Sequence, residues 1–111
     1  MPSEIATSRD MLPSKGLVMI DFTARWCGPC RTMKPVLSAL SVEYANHVKF
    51  VEVDVDDDPA IAEHYNVRSM PTYVVLRDGR EVGRFVGSRP RSFVAGVLDR
   101  VIGGDIAVAA P

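Results

Sequence analysis

Apolar residues in this chain recur with three different spacings. Leu17-Val18-Met19-Ile20 is an unbroken apolar run closed by Asp21 and Phe22, and it predicts a buried central strand over 17–22. From Cys27 to about Asn46 the pattern is helical, with Val36, Leu37, Leu40, Val42 and Tyr44 supplying the apolar face. Pro35 lies inside that helix and is expected to kink it, because its ring clashes with the preceding turn. Residues 48–55 are rich in β-branched side chains and predict a second strand. Asp58 followed by Pro59 marks a helix start, and that helix is expected to end near Tyr65. Two further strands, 72–76 and 80–86, flank Asp78-Gly79, a hairpin turn signal. Ser88 is expected to cap a last helix over 89–102, with Phe93, Val94, Val97, Leu98 and Val101 on one side and Gly103-Gly104 as its stop.

The two ends carry weaker patterns. Ile5-Ala6 reads as a short edge strand, and Ser8 to Leu12 as at most a turn or two of helix ended by Pro13. The segment 103–111 reads as a loose tail. Strand, helix, strand, helix, hairpin and helix together predict an α/β fold, a mixed sheet flanked by helices on both faces. A length of 111 residues fits a single domain, 1–111.

Composition narrows the function classes. Thirteen Lys and Arg against fourteen Asp and Glu leave a net charge of −1, which favours neither nucleic acid nor a membrane surface as a partner. There is no apolar run of about 18 residues, so no membrane-spanning helix is expected. MPSEIATSRD lacks the basic-then-apolar pattern of a secretory signal, and the chain ends in neither an ER-retention tetrapeptide nor a prenylation box. A cytoplasmic monomer is the expectation. Seven acids fall between Glu43 and Glu63, while Arg68, Arg77, Arg80, Arg84, Arg89, Arg91 and Arg100 crowd the later half. Both groups read mainly as solvated faces. Asp56-Asp57-Asp58 reads as a solvated cap, since a calcium loop needs regularly spaced ligands and a closing Glu.

The chemistry is concentrated in DFTARWCGPCRTMKP, residues 21–35, which holds both cysteines, Cys27 and Cys30. A strand stops, the chain turns, and a helix starts at a thiol. The unpaired N–H groups and positive dipole end of a helix favour the thiolate, the reactive form of cysteine. Cys30 lies three residues on, on the same face, and can close a disulfide with little backbone movement. Gly28 is permissive, and Pro29 is tolerated in the first turn because its missing N–H would be unpaired anyway. Trp26 sets a flat apolar side chain beside the sulfur. Structural zinc needs four ligands, and His47 and His64 stand in an unrelated spacing. A permanent staple closing so short a loop contributes little. Two cysteines in one motif fit a reducing compartment.

WCGPC after a strand ending Asp-Phe, followed by Met70-Pro71-Thr72 and by Gly79 and Gly87, resembles the thioredoxin family over about Leu17 to Ile102. The resemblance implies five strands in spatial order one, three, two, four, five, the last two antiparallel. It implies a longer first helix than this chain has room for. It implies thiol–disulfide oxidoreductase activity on protein substrates, electrons returned by a reductase, and no cofactor beyond the Cys27–Cys30 couple. Asp21 would be the buried carboxylate that takes the Cys30 proton, and Pro71 a cis-proline presenting the Met70 backbone to a substrate strand. Trp26, Val55, Ser69, Met70, Val86, Gly87 and Ser88 would form a shallow apolar groove. Thr23 replaces a frequent second tryptophan, and Glu52 stands where bacterial members often carry a lysine; both resemble eukaryotic-type members. Asp21, preceded by apolar residues, is expected to be buried with a raised pKa, which Glu52 raises further. A disulfide isomerase or oxidase domain is an alternative, but would need an export signal and usually another dipeptide between the cysteines. A binding module with incidental redox chemistry is another, and would not need both cysteines.

Overall fold

The apolar run becomes β2, Leu17–Thr23, the middle strand of a mixed sheet in the computed structural model. The structure describes residues 4–5, 12–104 and 107–108. β2 is flanked by β3 (Val48–Asp54), which runs parallel to it, and by β4 (Thr72–Arg77), which runs antiparallel. β5 (Arg80–Val86) returns antiparallel to β4 through Asp78 and Gly79, both with positive φ (50° and 85°), as a two-residue hairpin turn of the twisted kind requires. Gly16 N–H donates to Asp78 Oδ1 at 2.7 Å, which ties this turn to the start of β2.

Two-residue strands finish both edges. β1 (Glu4–Ile5) pairs parallel with β3, one residue earlier than the expected edge strand. The expected first helix falls largely on residues 6–11, outside the described residues. β6 (Ala107–Val108) pairs parallel with Gly83 and Arg84 of β5, within the tail expected to be loose. The order is therefore β1-β3-β2-β4-β5-β6, the expected order with one strand added. The unpaired backbone groups of an edge strand explain the addition, since they readily accept another strand.

Three helices cover the sheet. α1 (Gly28–Glu43) and α3 (Arg91–Ile102) pack on one face, with Met33, Leu37, Leu40, Val94, Leu98 and Val101 against Met19, Phe50, Tyr73, Val75 and Phe85. α2 (Pro59–His64) covers the other, with Ile61 and Ala62 against Val18, Ile20, Phe22, Val51, Val53, Val74 and Leu76. Because both faces of β2 are covered, its sequence reads as continuous rather than alternating.

Three sequence expectations are corrected. Val42 is 72% exposed, and Met33 and Ser41 are buried on α1 instead. Two residues beyond Leu40 turn the helix by about 200°, so Val42 points away from the sheet. Ser88 does not cap α3; Pro90 occupies the cap position with no side-chain cap. A residue before proline is pushed out of helical geometry, so Arg89 cannot begin the helix. α1 ends at Glu43 rather than near Asn46, with Pro35 inside it, and Tyr44 follows as the cap residue whose hydroxyl donates to Asp99 of α3 at 2.7 Å.

Candidate active site

β2 ends at Thr23, and the chain turns at once. Cys27 N–H donates to the Ala24 carbonyl at 3.1 Å, leaving Cys27 extended (φ −90°, ψ 110°) as the residue that caps α1. Its sulfur accepts the Cys30 N–H at 3.2 Å, one of the donors that a helix start leaves unpaired. Pro29 lies in the first turn, as expected. Cys27 and Cys30 are joined by a disulfide, with their Cα atoms 5.3 Å apart.

Both cysteines are buried, Cys27 at 4% and Cys30 at 3% exposure. Ala24 beneath them and Val55 and Met70 against them shield both sulfurs alike. The difference between the two thiols therefore rests on the helix end rather than on exposure.

Trp26 is the exposed wall, 64% open, and its indole N–H donates to Asp56 Oδ2 at 2.8 Å. Arg25 grips the same acidic loop, with contacts of 3.1 Å to Asp54 and to Asp57. Asp54 also accepts the N–H groups of Asp56 (2.8 Å) and Asp57 (3.2 Å), and Asp58 caps α2 by accepting the Ile61 N–H at 3.2 Å. The acid run thus serves as a docking loop and a helix cap. Among the described residues, no group of three or more His, Cys, Asp or Glu could hold a metal ion.

The Ser69–Thr72 turn brings Met70 against the two cysteines. Met70–Pro71 is cis, as expected from the motif. The Thr72 hydroxyl donates to the Ser69 carbonyl at 2.6 Å. Gly87 N–H donates to the Pro71 carbonyl at 2.8 Å, and Thr72 pairs with Val86 across the ladder, so Val86 and Gly87 join this turn. Gly87 has φ 90°, a conformation that favours glycine. Ser69 and Ser88 are exposed at the rim.

Asp21 lies behind the disulfide turn, on the sheet face that α1 covers, because it is two residues beyond Met19. The residue as a whole is half-buried, but its Oδ1 is shielded and has no hydrogen-bond partner. Burial pushes its pKa up to about 7, and Glu52, its register partner on β3, pushes the same way. Lys34 of α1 pulls it down, and Lys34 Nζ lies 3.1 Å from Glu52 Oε1. Sequence reasoning missed Lys34. The helix geometry that places position 34 one turn past Cys30 was the available signal. It also read Tyr73 only as a strand residue, although Tyr73 pairs with Asp21 from β4.

A disulfide that caps a helix at the carboxyl end of a central strand, backed by a buried carboxylate and a cis-proline turn, defines a dithiol–disulfide exchange protein. The family model named Thioredoxin matches residues 5–100. The chain belongs to the thioredoxin family. It is 39% identical over 92 residues to Thioredoxin 1 of Synechococcus elongatus, covering 83% of this chain and 86% of that protein. It is 52% identical over 73 residues to a Thioredoxin H-type of Fagopyrum esculentum, covering 66% of this chain and 62% of that one. The crystal structure of oxidized mitochondrial thioredoxin 3 from Saccharomyces cerevisiae superimposes with a TM-score of 0.78 at 37% identity, covering 87% of this chain and 94% of that one. The chain is a thiol–disulfide oxidoreductase that works through the Cys27/Cys30 couple.

Proposed function

We propose that this single thioredoxin domain is a protein-disulfide reductase. The Cys27 thiolate attacks one sulfur of a substrate disulfide, forming a mixed disulfide and expelling a substrate thiolate that takes up a proton. Cys30 gives its proton to Asp21, and the new thiolate attacks the Cys27 sulfur. The mixed disulfide breaks, the second substrate sulfur leaves as a thiolate that takes up a proton, and the Cys27–Cys30 bond forms. The substrate gains two electrons, and a reductase or equivalent dithiol system returns two electrons to the protein, with no cofactor held by this chain. Trp26, Val55, Ser69, Met70, Pro71, Val86, Gly87 and Ser88 form the groove in which the substrate chain lies, with Gly28 and Pro29 shaping the turn.

The observation that carries this reading is the Cys27 sulfur accepting a helix-start N–H while bonded to Cys30, since the same donor stabilises a thiolate. No described helix is long and apolar enough to cross a membrane. The near-neutral charge gives no drive towards nucleic acid, two cysteines confined to one motif fit a reducing compartment, and a cytoplasmic monomer is our assignment. Cys30→Ser tests the reading, because the first attack proceeds and the release step cannot. Mixed disulfides on Cys27 are expected to accumulate with protein substrates, and loss of insulin reduction is expected with them. A Cys30→Ser variant that turns over insulin like the parent would refute the mechanism.

A further inference from the structure

Two shielded side-chain polar atoms have no hydrogen-bond partner among the described residues, Asp21 Oδ1 and the Tyr73 hydroxyl. They belong to neighbouring side chains. Asp21 and Tyr73 face each other in the β2–β4 ladder, on one face of the sheet, with Cβ atoms about 5 Å apart as in any such pair. Tyr73 is fully buried, and its ring stacks on Phe85 with centroids 4.8 Å apart. A phenylalanine would make the same stack, so packing does not explain the hydroxyl. A buried hydroxyl left unpaired is costly, and the residue opposite it in the ladder carries the other shielded side-chain atom without a partner. The Asp21 charge reaches the phenol: after burial, it is what raises the Tyr73 pKa. Tyr73 accordingly remains a neutral O–H donor across the working pH range.

The charged and titratable groups around Asp21 leave that donor a distinct task. Glu52 on β3 repels an ionised Asp21. Lys34 on α1 attracts it, but its ammonium is in contact with Glu52. The Cys30 thiol, on α1, is neutral until it loses its proton. Tyr73 on β4 is the uncharged hydroxyl donor of the set, and it keeps its proton when the Cys30 thiol, a weaker donor, gives its own away. We propose that Tyr73 is a positioning residue whose hydroxyl donates a hydrogen bond to the ionised Asp21 carboxylate, across no more than one bridging water. A hydroxyl also accepts, so the same group meets Asp21 after it has taken the Cys30 proton. The charge-assisted bond to the carboxylate is the stronger of the two, and Tyr73 therefore favours the ionised, proton-accepting form. This inference rests on the reading of Asp21 as the base for Cys30.

Tyr73→Phe keeps the ring and its stack and removes only the hydroxyl. The Asp21 carboxyl is titrated by carbon NMR in the oxidised parent and variant, where no thiol titrates. Its midpoint is expected to rise by about one pH unit, the size of a lost hydrogen bond to a charged group. Release from the mixed disulfide is expected to slow up to about tenfold below that midpoint and to converge with the parent above it. An unmoved Asp21 midpoint in the folded variant overturns the coupling, whatever the rates do. Asp21→Asn is measured alongside and judges the base alone: parent-like release in that variant removes Asp21 from catalysis, while the carboxyl titration still decides whether Tyr73 holds it.

Discussion

Lys34 and Glu52 meet at 3.1 Å between α1 and β3, and the charges of both act on Asp21. The positive charge that the sequence reading found missing at position 52 is delivered from the helix instead. It is partial compensation, because burial and Glu52 still leave the Asp21 pKa near 7. Lys34→Gln should raise that pKa further and shift the pH profile of substrate release to higher pH. The pair is half-exposed, so the loss of global stability should stay under about 1 kcal/mol. Release rates from pH 5 to 9 and urea midpoints at pH 5 check both parts; an unmoved profile would show that Lys34 serves only as a surface ion.

The raised Asp21 pKa fixes a sign for stability. A carboxyl that holds its proton more tightly when folded contributes full stability below its unfolded pKa of 3.8, and loses it as pH rises through about 7. Stability of the oxidised protein should therefore fall between about pH 4 and pH 7. Asp21→Asn should abolish that slope and stabilise the protein at pH 7 by on the order of a few kcal/mol. Urea unfolding across this range reads it directly. A parent as stable at pH 7 as at pH 4 would place the ionised carboxylate in a better-solvated setting.

Cys27 should be the thiol that reacts first. The Cys27 sulfur accepts the Cys30 N–H at the helix start, an interaction that favours its thiolate. Limiting iodoacetamide on the reduced protein, followed by peptide mapping, should find the label mainly on Cys27. Since exposure is nearly equal at the two sites, predominant labelling of Cys30 would mean that the helix end does not control reactivity.

Leu40 and Val42 stand two residues apart on α1, with exposures of 0% and 72%. Leu40→Ala should cost about 2–5 kcal/mol through the cavity it leaves. Val42→Ala should fall within about 0.5 kcal/mol of the parent, as surface changes do. Denaturant midpoints of the two variants distinguish the sheet-facing residue from the solvent-facing one.

Much of this was legible because local chemistry and tertiary role coincide. The 17–22 run could only be a strand buried on both faces, and Asp78-Gly79 could only be a tight hairpin. WCGPC and Met70-Pro71 announced the disulfide turn and the cis-proline turn. What stayed hidden depended on side chains meeting across elements. Lys34 looks like any solvated lysine until α1 is laid against β3. Tyr73 looks like core until β4 is registered on β2. The β6 pairing could not be seen because Ala107-Val108 has no pattern of its own and takes its conformation from the edge of β5.

The grip of Arg25 on Asp54 and Asp57 gives the site an ionic-strength dependence that the sheet does not share. Arg25 is 70% exposed, so dissolved ions compete directly for these contacts, whereas the apolar clusters are indifferent to them. Trp26 hangs from the same acidic loop through Asp56. Raising salt should therefore loosen the tryptophan wall while the strands stay in place. Trp26 emission would change at salt concentrations that leave the unfolding midpoint unmoved, and affinity for substrate would decline before stability does.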